Sequence, residues 1–196
     1  VMHRVLWLGV LLGACTSSVS VTKGMLTVSQ EQQSSWVRNF NPLVSTDVRW
    51  PTRAGIYEPL AIHNAVSGEW VPWLAQEWSW SDDARSLSVR VRDGVKWSDG
   101  TPMQADDVVF TFELIRRVPA LDGGGLWQEL KSVSVAESGE VVFAFKRPYT
   151  PGFGQVVTQP VVAEHVWSAV EDPVVWTNPE PVGTGPFTEI VRFDTQ

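Results

Sequence analysis

Between Leu87 and Arg117 the hydrophobic period changes once, and that change sets the class of fold. Leu87, Val89 and Val91 alternate with Ser88, Arg90 and Arg92, which predicts a half-buried strand. Two Asp-Gly turns follow, Asp93-Gly94 and Asp99-Gly100. Beyond them Ala105, Val108, Phe112 and Ile115 recur at helical spacing. Asp106 and Asp107 sit in the first turn of this helix, Arg116 and Arg117 sit in its last turn, and Pro119 stops it. The same reading predicts strands over 25–30, 60–63, 75–80 and 86–92. It adds a hairpin of 131–136 with 141–146 across Glu137-Ser138-Gly139-Glu140, and a last strand over 187–193. A short helix is expected before Tyr57 and another over 164–170, and 148–160 reads as loop with at most a short helix. Strands and helices mix without regular strand–helix–strand repetition, so an α+β (mixed α/β) architecture is expected over a doubly wound sheet.

The chain has 196 residues, room for one ordinary domain or parts of two. Its net charge of −7 lacks the basic face of a nucleic-acid binder, so no nucleic-acid partner is expected. A single cysteine excludes an internal disulfide and a cysteine-based zinc site. No G-x-S-x-G elbow, H-E-x-x-H pair or phosphate-cradling loop is present. Gly123-Gly124-Gly125 lacks the strand-to-helix setting of a nucleotide loop. Adjacent residues on a helix do not face each other, so Asp106 and Asp107 read as a helix start rather than a catalytic pair. His63 and His165 are isolated and read as structural. No catalytic residue, metal site or cofactor is expected, and the chain does not read as an enzyme.

The N-terminus reads as an export signal. Arg4 precedes the apolar run Val5 to Leu12, which ends in Gly13-Ala14-Cys15. The run is too short for a bilayer span of about 20 residues, and it fits the core of a signal peptide at about 7–15. Leu12-Gly13-Ala14-Cys15 resembles a bacterial lipobox, which implies cleavage before Cys15 and lipidation of its thiol. Thr16 to Ser20 then reads as a tether.

Several stretches, in order, resemble the family 5 extracellular solute-binding proteins. They are Asn39-Phe40-Asn41-Pro42-Leu43, Ile56-Tyr57-Glu58-Pro59-Leu60, Trp73-Leu74-Ala75-Gln76-Glu77-Trp78, the run Leu87 to Phe112 around Arg92–Pro102, and Pro181–Phe187. The resemblance implies a periplasmic-binding-protein-like fold of two lobes, of which only the N-terminal part is present. It further implies a signal peptide at 1–15, a tether and the start of the first lobe at 16–56, an inserted second domain at 57–160, and a return to the first lobe at 161–196. The implied role is an extracytoplasmic, membrane-anchored lipoprotein that hands a solute to the permease subunits of an ABC importer.

Three segments, 31–42, Asp122–Trp127 and Asn178–Gly185, look closer to the cello-oligosaccharide binders of that family than to its peptide binders. Sugars are held by flat aromatic faces and by planar amide or guanidinium groups. Trp36, Arg38, Asn39 and Asn41 offer that set in one irregular segment and are the expected ligand-binding residues. An oligopeptide remains the alternative solute, because peptides need main-chain partners and a charge for each terminus.

Overall fold

The computed structural model describes residues 38–44, 55–187 and 189–191. The signal segment with Cys15, the strand expected over 25–30, and Trp36 lie outside the described residues. Two β-sheets and one long helix organise the rest. Strands β1 (Ala61–His63) and β2 (Trp70–Pro72) form an antiparallel pair. Strands β3 (Ala75–Trp80), β4 (Ser86–Val91), β5 (Leu130–Val135) and β6 (Val141–Phe145) form an antiparallel sheet in the order β3-β4-β6-β5.

Period-two alternation places one face of the larger sheet inward. Leu87 and Val89 from β4, Val141, Phe143 and Phe145 from β6, and Leu130 and Val133 from β5 are buried. The outer face is small and polar, with Ser79 opposite Ser88 and Ser88 opposite Val142. At one end of that face Arg90 bridges Glu77 at 2.6 Å and Glu140 at 3.0 Å. These pairs are exposed and contribute little to stability.

Helix α1 (Ala105–Arg117) lies between two apolar cores. Val108 and Phe112 face the sheet, where the Phe112 and Phe143 rings meet edge to face at 4.9 Å. Leu114 and Ile115 face the other way, onto a second core built with Leu43, Ile56, Tyr57 and Trp167. Residues from 43–57 and from 162–176 thus meet across the outer side of α1. Full burial of each such apolar side chain stabilises by roughly 1.5–3 kcal/mol. Two short helices, α2 (Gly152–Val157) and α3 (Glu164–Trp167), complete the described elements.

The structure departs from the sequence expectation in two places. The pair β1–β2 includes Trp70–Pro72, which carries no alternation signal. Phe187 and residues 189–191 form no strand; Phe187 N–H donates to Gly55 O at 2.9 Å without a continuing ladder. Among the described residues no helix is long and apolar enough to cross a membrane.

Candidate functional site

A cleft of about 330 Å³ opens between α1, the glycine loop that follows it, and α2. Its apolar lining comes from Leu43, Phe112, Ile115, Leu121, Leu126 and Trp127. Asp122, Gln155, Thr158 and Gln159 supply polar groups. Among the described residues no Lys, Arg or His is part of the lining.

The glycine loop has its conformation from Asp122. The carboxylate accepts N–H bonds from Leu126 at 2.8 Å and Trp127 at 3.0 Å, and Gly125 takes the left-handed backbone (φ 63°) that lets the chain turn back onto it. Both amides that a phosphate would use are therefore occupied by the chain's own anion. Trp127 is fixed from several sides: its indole N–H donates to Phe112 O at 3.0 Å, and the Arg116 guanidinium lies 5.2 Å from its ring centre. Lys146 Nζ holds the Trp127 and Gln128 carbonyls at 2.9 Å each.

On the facing side, Thr158 donates to Gly154 O at 2.7 Å and Gln159 Nε2 to Pro160 O at 3.3 Å. Gln155 Nε2 crosses the cleft to Gly124 O at 3.3 Å. Gln155 Oε1 is buried and has no hydrogen-bond partner among the described residues.

Of the expected ligand residues, the described Arg38, Asn39 and Asn41 fall beside this cleft rather than in its lining. Asn41 is 2% exposed, and its amide donates to Pro173 O and Trp176 O at 2.8 Å each while accepting from Leu43 N–H at 2.9 Å. Both amide hydrogens serve the chain, so the expectation that Asn41 reaches a solute gives way to a positioning role. Asn41 sets Pro42 and Leu43, which do line the cleft. Asn39 caps the same turn, accepting from Asn41 N–H at 3.0 Å. Arg38 donates to Pro179 O at 3.2 Å and pairs with Glu180 at 2.6 Å, both side chains being more than a third exposed.

Behind the cleft a buried polar cluster ties the two sides of the second core. Asn178, fully buried with φ 48°, donates to Tyr57 Oη at 2.6 Å and Phe40 O at 3.2 Å. Burial pushes the Tyr57 phenol above its ordinary range, against the opposing pull of Asn178 and Trp167, so it stays neutral. His165 Nε2 lies 2.7 Å from Asp99 Oδ2 and His63 stacks on Trp70 at 5.0 Å, so each histidine has a neighbour within the chain. No cluster of His, Cys, Asp and Glu fit to hold a metal occurs among the described residues.

The sequence reading missed Gln155, Thr158 and Gln159. Gln155 lies on α2, while Thr158 is its C-terminal cap and Gln159 follows in the turn, so the fold of this short stretch rather than any local motif brings the three together.

A mixed sheet-and-helix layer with an apolar cleft and a few convergent amides is the architecture of a periplasmic binding protein. The solved structures agree. The periplasmic oligopeptide-binding protein of an oligopeptide ABC transporter from Thermotoga maritima superposes with a TM-score of 0.72 at 30% identity, over 78% of this chain and 29% of that one. That protein has also been solved with bound mannohexaose, where it superposes with a TM-score of 0.71. Residues 69–195 match the model of the bacterial extracellular solute-binding proteins, family 5 Middle, and the chain belongs to that family. Among curated relatives, the dipeptide-binding protein of Escherichia coli is 25% identical over 207 residues, 92% of this chain and 38% of the relative. The periplasmic alpha-galactoside-binding protein of Rhizobium meliloti is 47% identical over 55 residues, 28% of this chain and 8% of the relative. The chain thus spans less than two fifths of these relatives' length.

Proposed function

We propose that the chain belongs to an extracytoplasmic lipoprotein that captures a neutral oligosaccharide and delivers it to the permease subunits of an ABC importer, without turning it over. The observation that carries this reading is the cleft's chemistry. The half-buried Trp127 indole and the apolar Leu121 and Leu126 stand against side-chain amides, with no cation in the lining among the described residues. A sugar ring matches such a surface through its apolar face and its hydroxyls. A peptide carboxylate needs a positive partner there. The likeness to a Thermotoga maritima protein solved with mannohexaose supports the same class.

In this proposal residues 57–160 form a domain inserted between 16–56 and 161–196; Leu43 and Ile56 of the first segment meet Val162 and Trp167 of the second in the second core. Trp36 and Arg38 extend the cleft wall. Arg38 is free to take that role because an exposed pair such as Arg38–Glu180 is worth at most about 1 kcal/mol and exchanges readily. The peptide reading has its own support in the alignment of the Escherichia coli dipeptide-binding protein over 92% of the chain.

Tryptophan fluorescence of the mature protein, titrated with cello-oligosaccharides and with a mixed peptide pool, separates the two readings. Saturable binding of saccharide, with the saccharide recovered intact, is expected, and Trp36→Ala is expected to weaken it while leaving the melting temperature unchanged. Binding of peptides alone sinks the saccharide reading, and hydrolysis of either solute sinks the transport reading.

The lipid anchor is tested separately. Cys15→Ser is expected to abolish labelling by radioactive palmitate in cells and to move the protein from the membrane to the soluble fraction. A serine variant that stays in the membrane fraction would remove Cys15 as the anchor.

A further inference from the structure

We infer that Gln155 is a specificity-determining residue of the cleft, whose side-chain amide oxygen accepts a hydrogen bond from a hydroxyl of the bound saccharide. This rests on the solute-capture reading above.

The orientation of the amide follows from its one bond. Nε2 faces the Gly124 carbonyl at 3.3 Å, and exchanging the two ends would set Oε1 against that carbonyl oxygen. Oε1 is thereby assigned as the acceptor, and it is buried and unpartnered. Other polar groups of the cleft bond within the chain: the Asp122 carboxylate with Leu126 and Trp127, Thr158 Oγ1–H with Gly154 O, and Gln159 Nε2 with Pro160 O. Among the described residues only one other buried side-chain atom lacks a partner, Asn178 Oδ1, and it belongs to the Tyr57 cluster rather than to the cleft lining.

A buried acceptor left open costs on the order of 1–3 kcal/mol. A residue serving packing alone on α2 would avoid that cost by being apolar, as its neighbours Val156 and Val157 are. An incoming hydroxyl relieves the cost. It reaches Oε1 because the amide is held by one long bond, and the terminal torsion of a glutamine is soft. The free protein thus carries an unfavourable group that the solute satisfies, which converts the cost into discrimination for a donor at that position.

The test uses Gln155→Met and Gln155→Glu in the mature protein. Each is titrated with cello-oligosaccharides by tryptophan fluorescence and melted without ligand. Gln155→Met is expected to weaken saccharide binding about tenfold, in line with the loss of one buried hydrogen bond. Its melting temperature without ligand is expected at or above that of the wild type, since the open acceptor is gone. Gln155→Glu keeps an acceptor but sets its second oxygen against the Gly124 carbonyl, and is expected to bind more weakly than wild type and more tightly than Gln155→Met. A Gln155→Met protein that binds saccharide as tightly as wild type, or that melts below it, overturns the role of Gln155 and leaves the solute-capture reading standing. A wild-type protein that binds no saccharide removes that reading and this inference with it.

Discussion

Asp107→Ala is expected to lower the folding stability by about 3–5 kcal/mol, the cost of leaving three hydrogen-bond donors at a mostly buried site without their acceptor. Asp107 is the third residue of α1 and is 6% exposed. Its Oδ2 accepts from Gln104 N–H at 2.8 Å and from the Trp97 indole N–H at 3.3 Å, and its Oδ1 accepts from Glu164 N–H at 2.9 Å. One carboxylate therefore joins the start of α1, the turn that carries Trp97, and the start of α3. Among the described residues no cation bonds it; those three donors and the positive end of the helix hold the charge. Alanine leaves all three N–H groups without this partner at a mostly buried site, and each open donor costs about 1–3 kcal/mol before relaxation. Total stability of a domain is about 5–15 kcal/mol, so the loss is a large share of it. Urea unfolding is the direct measurement, with a lowered midpoint and an unchanged slope. Asp107→Asn keeps the shape but turns one acceptor into a donor facing an N–H, and is expected to fall between alanine and wild type. A loss below about 1 kcal/mol for Asp107→Ala would mean that the three donors find other partners.

Asp107 also shows what was legible in the sequence and what was not. Two acids before an apolar helical stripe mark a helix start, and α1 spans Ala105–Arg117 as the spacing predicts. The strands β3 to β6 fall within about one residue of their expected bounds, because alternation and Asp-Gly or Ser-Gly turns are local signals. That the Asp107 carboxylate also caps Glu164 is not local, and nothing in the neighbouring residues announces it. β2 was missed because a three-residue edge strand ending in Pro72 has no period to detect; it exists through its pairing with Ala61–His63. α2 contains Gly152 and Gly154 and follows Pro151, a poor helical sequence by propensity. It holds because Val156 and Val157 are fully buried.

The candidate site divides along the same line. Asn41-Pro42 has the composition of a turn whichever way the amide points. The carbonyls of Pro173 and Trp176 decide that it points inward, more than 130 residues along the chain. Of the segment that carries the expected ligand residues, Pro42 and Leu43 line the cleft, while the side chains of Arg38, Asn39 and Asn41 bond within the chain. The amides that reach the cleft come from α2 and the turn after it, a stretch that reads from sequence as loop with at most a short helix.

The glycines of Pro181-Val182-Gly183-Thr184-Gly185-Pro186-Phe187 give the second large effect: Gly183→Ala is expected to cost about 3 kcal/mol or more. A methyl group on Gly183 would stand 2.0 Å from Ile56 O, and one on Gly185 would stand 2.3 Å from Gly55 O. Those neighbours are backbone and cannot swing aside as a flexible side chain does. The two segments must part, and the bonds between them go with the contact: Gly185 N–H to Ile56 O and Phe187 N–H to Gly55 O, both at 2.9 Å. Steric exclusion, rather than left-handed backbone, is what selects glycine here, since neither residue has a positive φ. Gly94 and Gly100 provide the internal contrast. Their φ values are 76° and 90°, and a methyl group on either would meet nothing within 4 Å. Alanine there carries only the conformational cost of about 1 kcal/mol. The expected order of destabilisation in urea is Gly183→Ala well above Gly100→Ala, with Gly185→Ala close to Gly183→Ala. Equal losses at 183 and 100 would show that the chain accommodates the methyl group by a small shift. The predicted order instead makes the Gly-Thr-Gly stretch a packing device. It locks residues 55–56 in place, and with them Ile56 and Tyr57 in the core that backs the cleft through Leu43 and Ile115.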